Sequence, residues 1–257
     1  INMEITMRKI VCITLFLITG GLLAQSADSL FVKANKLYQF EKYDEALALY
    51  KEIEANNMQS EALYYNLANT YYKMNKVAPS IYYYEKTLLL NPNNGDAAYN
   101  LSFAKRMAID NIEALPRTLG QKFSKNIIQK FNYNTWAWIA VSCSLLFALL
   151  FLLYHFSYGT GNKRFYFISS IISAILVILS LLFAYNNYNF TKSYKTAIVF
   201  AQQSDVKSAP TNSSDISFEL HEGTKVQLLE SLDNWRKIKI ADGKIGWISA
   251  DAIKELN

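Results

Sequence analysis

Two long apolar segments near the middle of the chain constrain its fold more than any other feature. Residues 136–156 and residues 165–185 each run for 21 positions without Asp, Glu, Lys or Arg. A helix needs about 20 apolar residues to cross the hydrocarbon core of a bilayer. Only residues 157–164 separate the two runs. The sequence therefore predicts two membrane-spanning helices joined as a hairpin, with a soluble part on either side.

The positive charge of the chain is concentrated beside these apolar segments. The net charge is +5, yet residues 27–111 hold nine basic and ten acidic residues, and residues 196–257 hold seven and nine. Basic residues at a membrane border set orientation and contact anionic headgroups. We therefore expect a membrane-bound protein that does not bind nucleic acid, because a nucleic-acid interface needs a basic face on a folded domain.

The N-terminal residues have the pattern of an export signal. Arg8 and Lys9 precede an apolar run at residues 10–18, and a small residue, Ala24, follows paired glycines. A basic start, a short apolar run and a small residue at the cleavage point are typical of secretory signals. The sequence predicts a signal peptide over residues 7–25, with Met7 as the start. A third membrane helix is the alternative.

Small and bulky residues recur every 34 positions in the segment that follows. The matched sets are Ala34, Ala68 and Ser102; Ala46 and Ser80; Tyr50 and Tyr84; and Ile53 and Thr87. This period, with small residues where two helices cross, is typical of the tetratricopeptide (TPR) repeat. The sequence predicts an all-α TPR superhelix over residues 27–111, made of two repeats and one capping helix.

The resemblance to TPR proteins implies a peptide-binding groove lined by the first helix of each repeat. The residues predicted for this partner-binding face are Phe31, Asn35, Tyr38, Tyr65, Asn69, Tyr72, Lys73, Tyr99 and Phe103. The carboxylate-clamp type of TPR needs basic side chains beside asparagines, and Asn35 and Asn66 occupy its asparagine positions. Its cationic positions hold Phe31, Asp96 and Asn100, so an acidic peptide C-terminus is not the expected ligand.

An amphipathic juxtamembrane stem is predicted over residues 112–134. Its apolar side chains share one helical face, while its lysines lie elsewhere: the apolar set is Phe123, Ile127, Ile128 and Phe131. Such a helix suits the membrane interface. A solvated stem is the alternative.

The charges around the hairpin predict its orientation. The loop at residues 157–164 contains Lys163 and Arg164, and basic loops stay in the cytoplasm. The segment before residue 136 is more basic, but long exported regions cross largely regardless of charge. We therefore expect both flanking parts to be periplasmic, on a bacterial inner membrane. The spans carry no charged residue, which favours an anchor over a transport pathway.

Alternating residues near the C-terminus predict a small all-β domain. After a polar linker at residues 186–195, five short strands are expected, at residues 196–200, 218–220, 225–230, 235–240 and 244–248. Asp242-Gly243 forms a hairpin turn between the last two. The most distinctive features of this segment lie at residues 197–199, 209–210, 220–226, 235 and 243–248. They resemble the bacterial SH3 (SH3b) domain over residues 196–257. The resemblance implies a small barrel that binds a ligand or the cell wall, with Trp235 and Trp247 as candidates for a ligand groove.

The order of these parts also resembles the BatE-like TPR/SH3 membrane proteins of the Bacteroides aerotolerance family. Residues 78–86, residues 91–93 and the SH3b features carry this resemblance. It implies a membrane scaffold that works beside partner Bat proteins, some with von Willebrand factor A domains. A role in oxygen or stress tolerance is what the family implies.

No pattern in the sequence indicates catalysis, a metal site or a cofactor. The two histidines, His155 and His221, are far apart, and neither Cys12 nor Cys143 lies beside a ligand-forming residue. Three non-enzymatic functions stay open. The chain is a scaffold that recruits proteins through the TPR groove, a peptidoglycan-binding anchor that acts through the SH3b domain, or a regulatory subunit that packs on a membrane partner.

Overall fold

The structure is a computed structural model that describes residues 28–116 and 118–256. The predicted signal peptide at residues 7–25 lies outside this part of the chain. Two compact units divide between Ile109 and Asp110. The first unit is helical. The second contains two apolar helices and an antiparallel sheet.

Five helices form the described part of the first unit. They are α1 (residues 28–39), α2 (Tyr43–Ala55), α3 (Glu61–Lys73), α4 (Val77–Leu90) and α5 (Gly95–Met107). The ends of these helices repeat at the same spacing as the sequence. Glu41 and Asn75, which are 34 residues apart, have φ of 60° and 56° after α1 and α3. A residue in this left-handed region closes a helix and starts a sharp turn.

The helix starts repeat in the same way. The side chain of Ser60 accepts a 3.1 Å hydrogen bond from the N–H of Leu63, and that of Asn94 accepts a 2.7 Å bond from the N–H of Ala97. Such caps satisfy N–H groups that the first turn leaves without a helical partner. The 34-residue period therefore fixes where α3 and α5 begin.

Small residues let the helices of the first unit approach closely. Ala34, Ala46 and Ala68 are fully buried, and the hydroxyl of buried Ser80 donates a 3.1 Å hydrogen bond to the carbonyl of Ala68. Ser102 occupies the third position of the small-residue series, yet it is exposed. Residues 108–116 are not helical, so α5 has no following helix that would cover Ser102.

The segment predicted as an amphipathic stem forms less helix than expected. Helix α6 (Leu119–Phe123) begins at Thr118, whose side chain and that of Gln121 form a capping box. A π-helical turn, Ser124–Ile128, follows it. Residues 112–116, which were predicted to belong to the stem, have no regular secondary structure. Ile112 and Leu115 among them contact the sheet, through interactions described below.

Two helices in the second unit are long and apolar enough to span a membrane. They are α7 (Tyr133–Phe156) and α8 (Thr160–Ser193), of 24 and 34 residues. Their most apolar windows are only 6% and 17% buried, so their apolar side chains face outward rather than into a protein core. Ser170 and Ser173 are buried between them, and the Ser173 hydroxyl donates a 2.8 Å hydrogen bond to the Cys143 carbonyl. Small polar residues therefore hold the pair together, as is common in membrane helices.

The helices extend further than the apolar runs indicated. The predicted loop at residues 157–164 is shorter, because α8 already begins at Thr160. The predicted polar linker at residues 186–195 is helical as far as Ser193. Hydropathy marks where a chain leaves the hydrocarbon, whereas backbone hydrogen bonding can continue the helix into water or headgroups.

Seven strands form one antiparallel sheet. They are β1 (Thr196–Val199), β2 (Gln203–Lys207), β3 (Ile216–His221), β4 (Lys225–Leu232), β5 (Trp235–Lys239), β6 (Ile245–Ser249) and β7 (Ile253–Glu255). Their order is β3-β2-β6-β5-β4-β1-β7. Strands β2 and β7 were not among the five predicted from the sequence. Strand β2 buries only Val206 and β7 has three residues, so neither shows an extended alternation.

The core of the sheet contains small aliphatic side chains from most of its strands. Val206, Ile238 and Ile248 are fully buried in it. Gly246 lies where β2 and β6 approach most closely, since a Cβ there would be 2.5 Å from Cγ1 of Val206. Gly243 has φ of 95° in the turn between β5 and β6, as the Asp-Gly pair predicts.

Candidate functional site

A cavity of about 340 Å³ opens in the first unit. Its lining residues are Tyr38, Tyr65, Asn69, Tyr72, Lys73, Tyr84, Asn100 and Phe103. They come from α1, α3, α4 and α5. Tyr84 apart, all belong to the first helix of a predicted repeat or to the capping helix. Six of them are among the nine residues that the sequence analysis assigned to a groove.

The other three predicted residues, Phe31, Asn35 and Tyr99, do not line this cavity. The ring centroid of Phe31 is 5.9 Å from that of Tyr50, and Asn35 accepts hydrogen bonds described below. Tyr99 is 66% exposed, and its ring centroid is 4.9 Å from that of Phe103. The structure therefore brings most, but not all, of the predicted face together.

Two hydrogen bonds hold the side-chain oxygen of Asn35. The hydroxyl of Tyr50 donates a 2.6 Å bond to Oδ1 of Asn35, and Nδ2 of Asn66 donates a 2.8 Å bond to the same oxygen. An amide whose oxygen accepts two bonds is fixed in orientation by that network. This triad joins α1, α2 and α3.

The same triad recurs 34 residues later, beside the cavity. The hydroxyl of Tyr84 donates a 2.5 Å bond to Oδ1 of Asn69, and Nδ2 of Asn100 donates a 3.1 Å bond to that oxygen. Nδ2 of Asn100 also lies 3.1 Å from the hydroxyl of Tyr65. No hydrogen bond from Nδ2 of Asn69 to another side chain or carbonyl occurs in the described part of the chain. With respect to residues 28–116 and 118–256, this nitrogen is available to donate to a ligand.

Burial raises the pKa of the tyrosine hydroxyls in both triads. It raises the pKa of Tyr50 to about 12, and a hydrogen bond from Asn66 only partly offsets this effect. Burial also raises the pKa of Tyr84 well above its ordinary value. Both hydroxyls are therefore hydrogen-bond donors throughout the physiological pH range.

Among the described residues, Lys73 is the cation that lines the cavity. Lys73 ends α3 and is exposed, while the remaining lining residues are tyrosines, asparagines and a phenylalanine. Rings with few rotatable bonds contribute a large contact area at low entropic cost. The arrangement suits a ligand with apolar side chains, a backbone carbonyl for Asn69 and a negative charge near Lys73.

Sequence reasoning missed Tyr84 and Asn100 as lining residues. Both could have been found from the 34-residue period, because Tyr84 corresponds to Tyr50 and Asn100 corresponds to Asn66. The missing information was that a tyrosine from the second helix of a repeat reaches between the first helices. Side-chain reach across a helix pair is not encoded in the spacing alone.

Trp235 and Trp247 lie together on the sheet, on the face opposite the core. Neighbouring strand residues point to opposite faces, and Ile238 and Ile248 on the same strands are fully buried. Trp247 pairs with Lys237 on β5 and with Lys207 on β2. Both tryptophans are half-buried, so their rings are accessible rather than part of the core.

Lysines flank both rings of this surface. Nζ of Lys237 lies 5.7 Å from the ring centroid of Trp247, and Nζ of Lys207 lies 6.0 Å from that of Trp235. Lys237 also pairs with Glu230 at 2.8 Å. We name the four residues Trp235, Trp247, Lys207 and Lys237 the tryptophan surface. Its rings and cations could contact a sugar ring that carries a carboxylate.

In residues 28–116 and 118–256, no group of three or more His, Cys, Asp or Glu side chains is placed to hold a metal ion.

Comparison with known families identifies two modules. Residues 62–94 match the tetratricopeptide repeat, and residues 204–254 match the bacterial SH3 domain. These matches confirm the predicted presence of a TPR repeat and an SH3b domain. No curated protein matches the chain. The chain thus carries a TPR repeat, then two helices that are long and apolar enough to span a membrane, and then a bacterial SH3 domain.

Proposed function

We propose that this protein is a non-enzymatic, membrane-anchored scaffold that binds partner proteins through the cavity of its helical unit. The observation that carries this proposal is the cavity itself, with aromatic walls, the free amide donor of Asn69 and the cation of Lys73. TPR repeats are modules of protein interaction, which supports a protein as the ligand.

The ligand of this cavity is an extended peptide segment. The amide of Asn69 donates to a backbone carbonyl, which every peptide offers, and the rings of Tyr65 and Tyr72 contact apolar side chains. Lys73 pairs with an acidic side chain. Because the tyrosine–asparagine triads hold the walls in place, little conformational entropy is lost on binding.

The hairpin of α7 and α8 anchors the scaffold in the bacterial inner membrane. Two crossings return the chain to the side on which it entered, so a TPR superhelix and an SH3b barrel both act in the periplasm. The basic residues Lys163 and Arg164 near the turn favour the cytoplasm for that end. The absence of charged residues at positions 136–156 and 165–185 supports an anchor.

The resemblance to BatE-like proteins extends the proposal to the partners. They are Bat-type membrane proteins, including those with von Willebrand factor A domains, and the assembly serves oxygen or stress tolerance. This part rests on the family resemblance of the whole chain rather than on the cavity.

Affinity capture of the tagged full chain from detergent-solubilised membranes tests the scaffold. Tyr72→Ala combined with Lys73→Glu should abolish co-purification of the partner proteins. Lys36→Glu is the matched control, because Lys36 is an exposed lysine on α1 that does not line the cavity. If the cavity variant keeps every partner, the scaffold proposal is wrong. A further variant has an unrelated hairpin in place of α7 and α8. If only this variant loses the partners, the protein is instead a regulatory subunit that packs on a membrane partner.

A second candidate function is binding of peptidoglycan by the SH3b domain. The outward position of Trp235 and Trp247 favours it, since aromatic rings stack on sugars and the flanking lysines can pair with carboxylates. Sedimentation of the full chain with purified peptidoglycan tests this function. Trp235→Ala with Trp247→Ala should abolish binding, whereas Ile216→Ala, at a 54% exposed position elsewhere on the sheet, should not. Equal sedimentation of all three proteins would exclude this surface.

A further inference from the structure

Asp110, the first residue of the second unit, has a side chain held by the sheet. Its Oδ2 accepts a 2.7 Å hydrogen bond from the backbone N–H of His221 and a 2.6 Å bond from the hydroxyl of Thr224. Its Oδ1 lies 2.8 Å from Nδ1 of His221. The carboxylate is only 13% exposed. The three donors around this carboxylate form a specific carboxylate-binding site.

The turn that supplies these donors is fixed by the sheet itself. It joins β3 to β4, and Gly223 within it has φ of 88°. The N–H of Gly223 donates a 2.9 Å bond to the carbonyl of Val199 on β1. Gly223 and Thr224 are both buried. The carboxylate site is therefore built from residues 221–224, whichever chain supplies the acidic side chain.

Further contacts with the sheet follow Asp110 along the chain. Ile112 packs against the core of the sheet. The N–H of Leu115 donates a 3.1 Å bond to the carbonyl of Ala241, and a Cβ on Gly243 would lie 3.0 Å from Cδ1 of Leu115. Residues 110–115 can span about 17 Å as extended chain. They run from the β3–β4 turn to the β5–β6 turn, and we name them the strap.

The strap differs from an ordinary strand of the sheet. It has no regular secondary structure, and Leu115 is 58% exposed. Asp110 lies 111 positions before His221, with both apolar helices between them. Its contacts are one charged anchor, two aliphatic side chains and one backbone bond. This is the contact pattern of a bound linear peptide rather than of a paired edge strand.

We propose that the strap occupies a peptide-binding site of the SH3b domain. The ligand class is an extended peptide with Asp at one position and aliphatic residues two and five positions later. The chain supplies such a ligand in cis, at the high effective concentration of a tethered segment. A partner protein with the same pattern competes for the site, and its binding frees the segment that leads into α6. This site is separate from both the TPR cavity and the tryptophan surface.

Exchange of amide hydrogens in the full chain, held in detergent micelles, tests whether Asp110 anchors the strap. Asp110→Asn preserves the shape of the side chain but removes its charge. It should raise the exchange rate of the Leu115 N–H, which donates to the Ala241 carbonyl, about tenfold or more, because the strap loses its charge-assisted hydrogen bonds. Glu113→Gln is the control, since Glu113 is exposed on the same segment. Equal exchange in the wild type and in Asp110→Asn would contradict the proposal.

A labelled synthetic peptide with the sequence of residues 110–115 tests the site in trans. The full chain with Asp110→Ala and Leu115→Asp, whose own strap cannot dock, should bind this peptide about tenfold more tightly than the wild type does. The same peptide with Asn in place of its Asp should bind to this variant about tenfold more weakly. This comparison changes only the peptide and uses the same protein. If the emptied chain binds no better than the wild type, or does not distinguish the two peptides, the strap is a fixed part of the fold and not a ligand.

Discussion

The hydroxyl of Tyr84 donates a 2.5 Å hydrogen bond to Oδ1 of Asn69, and the pair of Tyr50 and Asn35 repeats this bond at 2.6 Å. Each bond crosses from the second helix of a repeat to its first helix. By holding the amide oxygen, the tyrosine leaves the amide nitrogen of Asn69 available in the cavity. The residues that stabilise the repeat thus also orient the group that would bind a peptide backbone.

This relationship predicts a cost when the hydroxyl is removed and the ring is kept. Tyr84→Phe should lower the free energy of unfolding of the helical unit by about 1 kcal/mol, because Asn69 keeps its bond from Asn100 but loses the one from Tyr84. Thermal unfolding of the full chain in detergent micelles measures the change. Tyr99→Phe, at a 66% exposed ring, should leave the midpoint unchanged. Equal midpoints for Tyr84→Phe and the wild type would show that the bond contributes no stability.

Close approach of β2 and β6 predicts that Gly246 cannot be replaced. Gly246→Ala would place Cβ 2.5 Å from Cγ1 of Val206 and 3.0 Å from the carbonyl oxygen of Lys207. Since a backbone carbonyl cannot rotate away as a side chain can, the substitution should cost about 1–3 kcal/mol of stability in the sheet. Gly95→Ala is the matched control, because no atom lies within 4 Å of a Cβ built there. Thermal unfolding of both variants distinguishes them, and a tolerated Gly246→Ala would contradict the described packing.

The carboxylate of Asp110 predicts an acid-sensitive strap. Burial alone would raise the pKa of Asp110, but the backbone N–H of His221, the hydroxyl of Thr224 and the ring of His221 together hold it below its ordinary value of 3.8. A carboxyl with a lowered folded-state pKa stabilises the fold above its ordinary pKa, and loses that contribution as pH falls through the lowered value. The strap should therefore stay docked at neutral pH and down to about pH 4, and open only in stronger acid.

Exchange of the Leu115 amide hydrogen, corrected for its intrinsic dependence on pH, measures this opening. The wild type should lose protection below pH 3.8, whereas Asp110→Asn should show no transition in that range. Opening of the wild-type strap between pH 5 and 7 would mean that a group other than Asp110 controls it.

The sequence predicted well those features that repeat or that depend on composition. The resemblance to TPR proteins implied that Asn69, Tyr65 and Tyr72 share one face, and the structure has all three at one cavity. The charge-free runs located α7 and α8, because an apolar run of this length by itself indicates a helix that can span a membrane. Asp242-Gly243 marked a hairpin, since its turn requires a positive φ at Gly243.

Features that depend on contacts distant in the chain could not be predicted in this way. Nothing near Asp110 in the sequence indicates that His221 and Thr224 will surround it, because those residues are more than 100 positions away. Strand β2 was missed because its pairing, not its composition, makes it a strand. Trp235 and Trp247 could have been core or surface residues, and only the register of β5 and β6 places them outside.

Membrane topology is the most informative measurement on the proposed scaffold, because both binding units can reach common partners only if they lie on one side of the membrane. Reporter domains fused after Asn111 and after Asn257 should both read as exported. Export of only one of them, or a cytoplasmic signal from both, would contradict the proposed periplasmic scaffold.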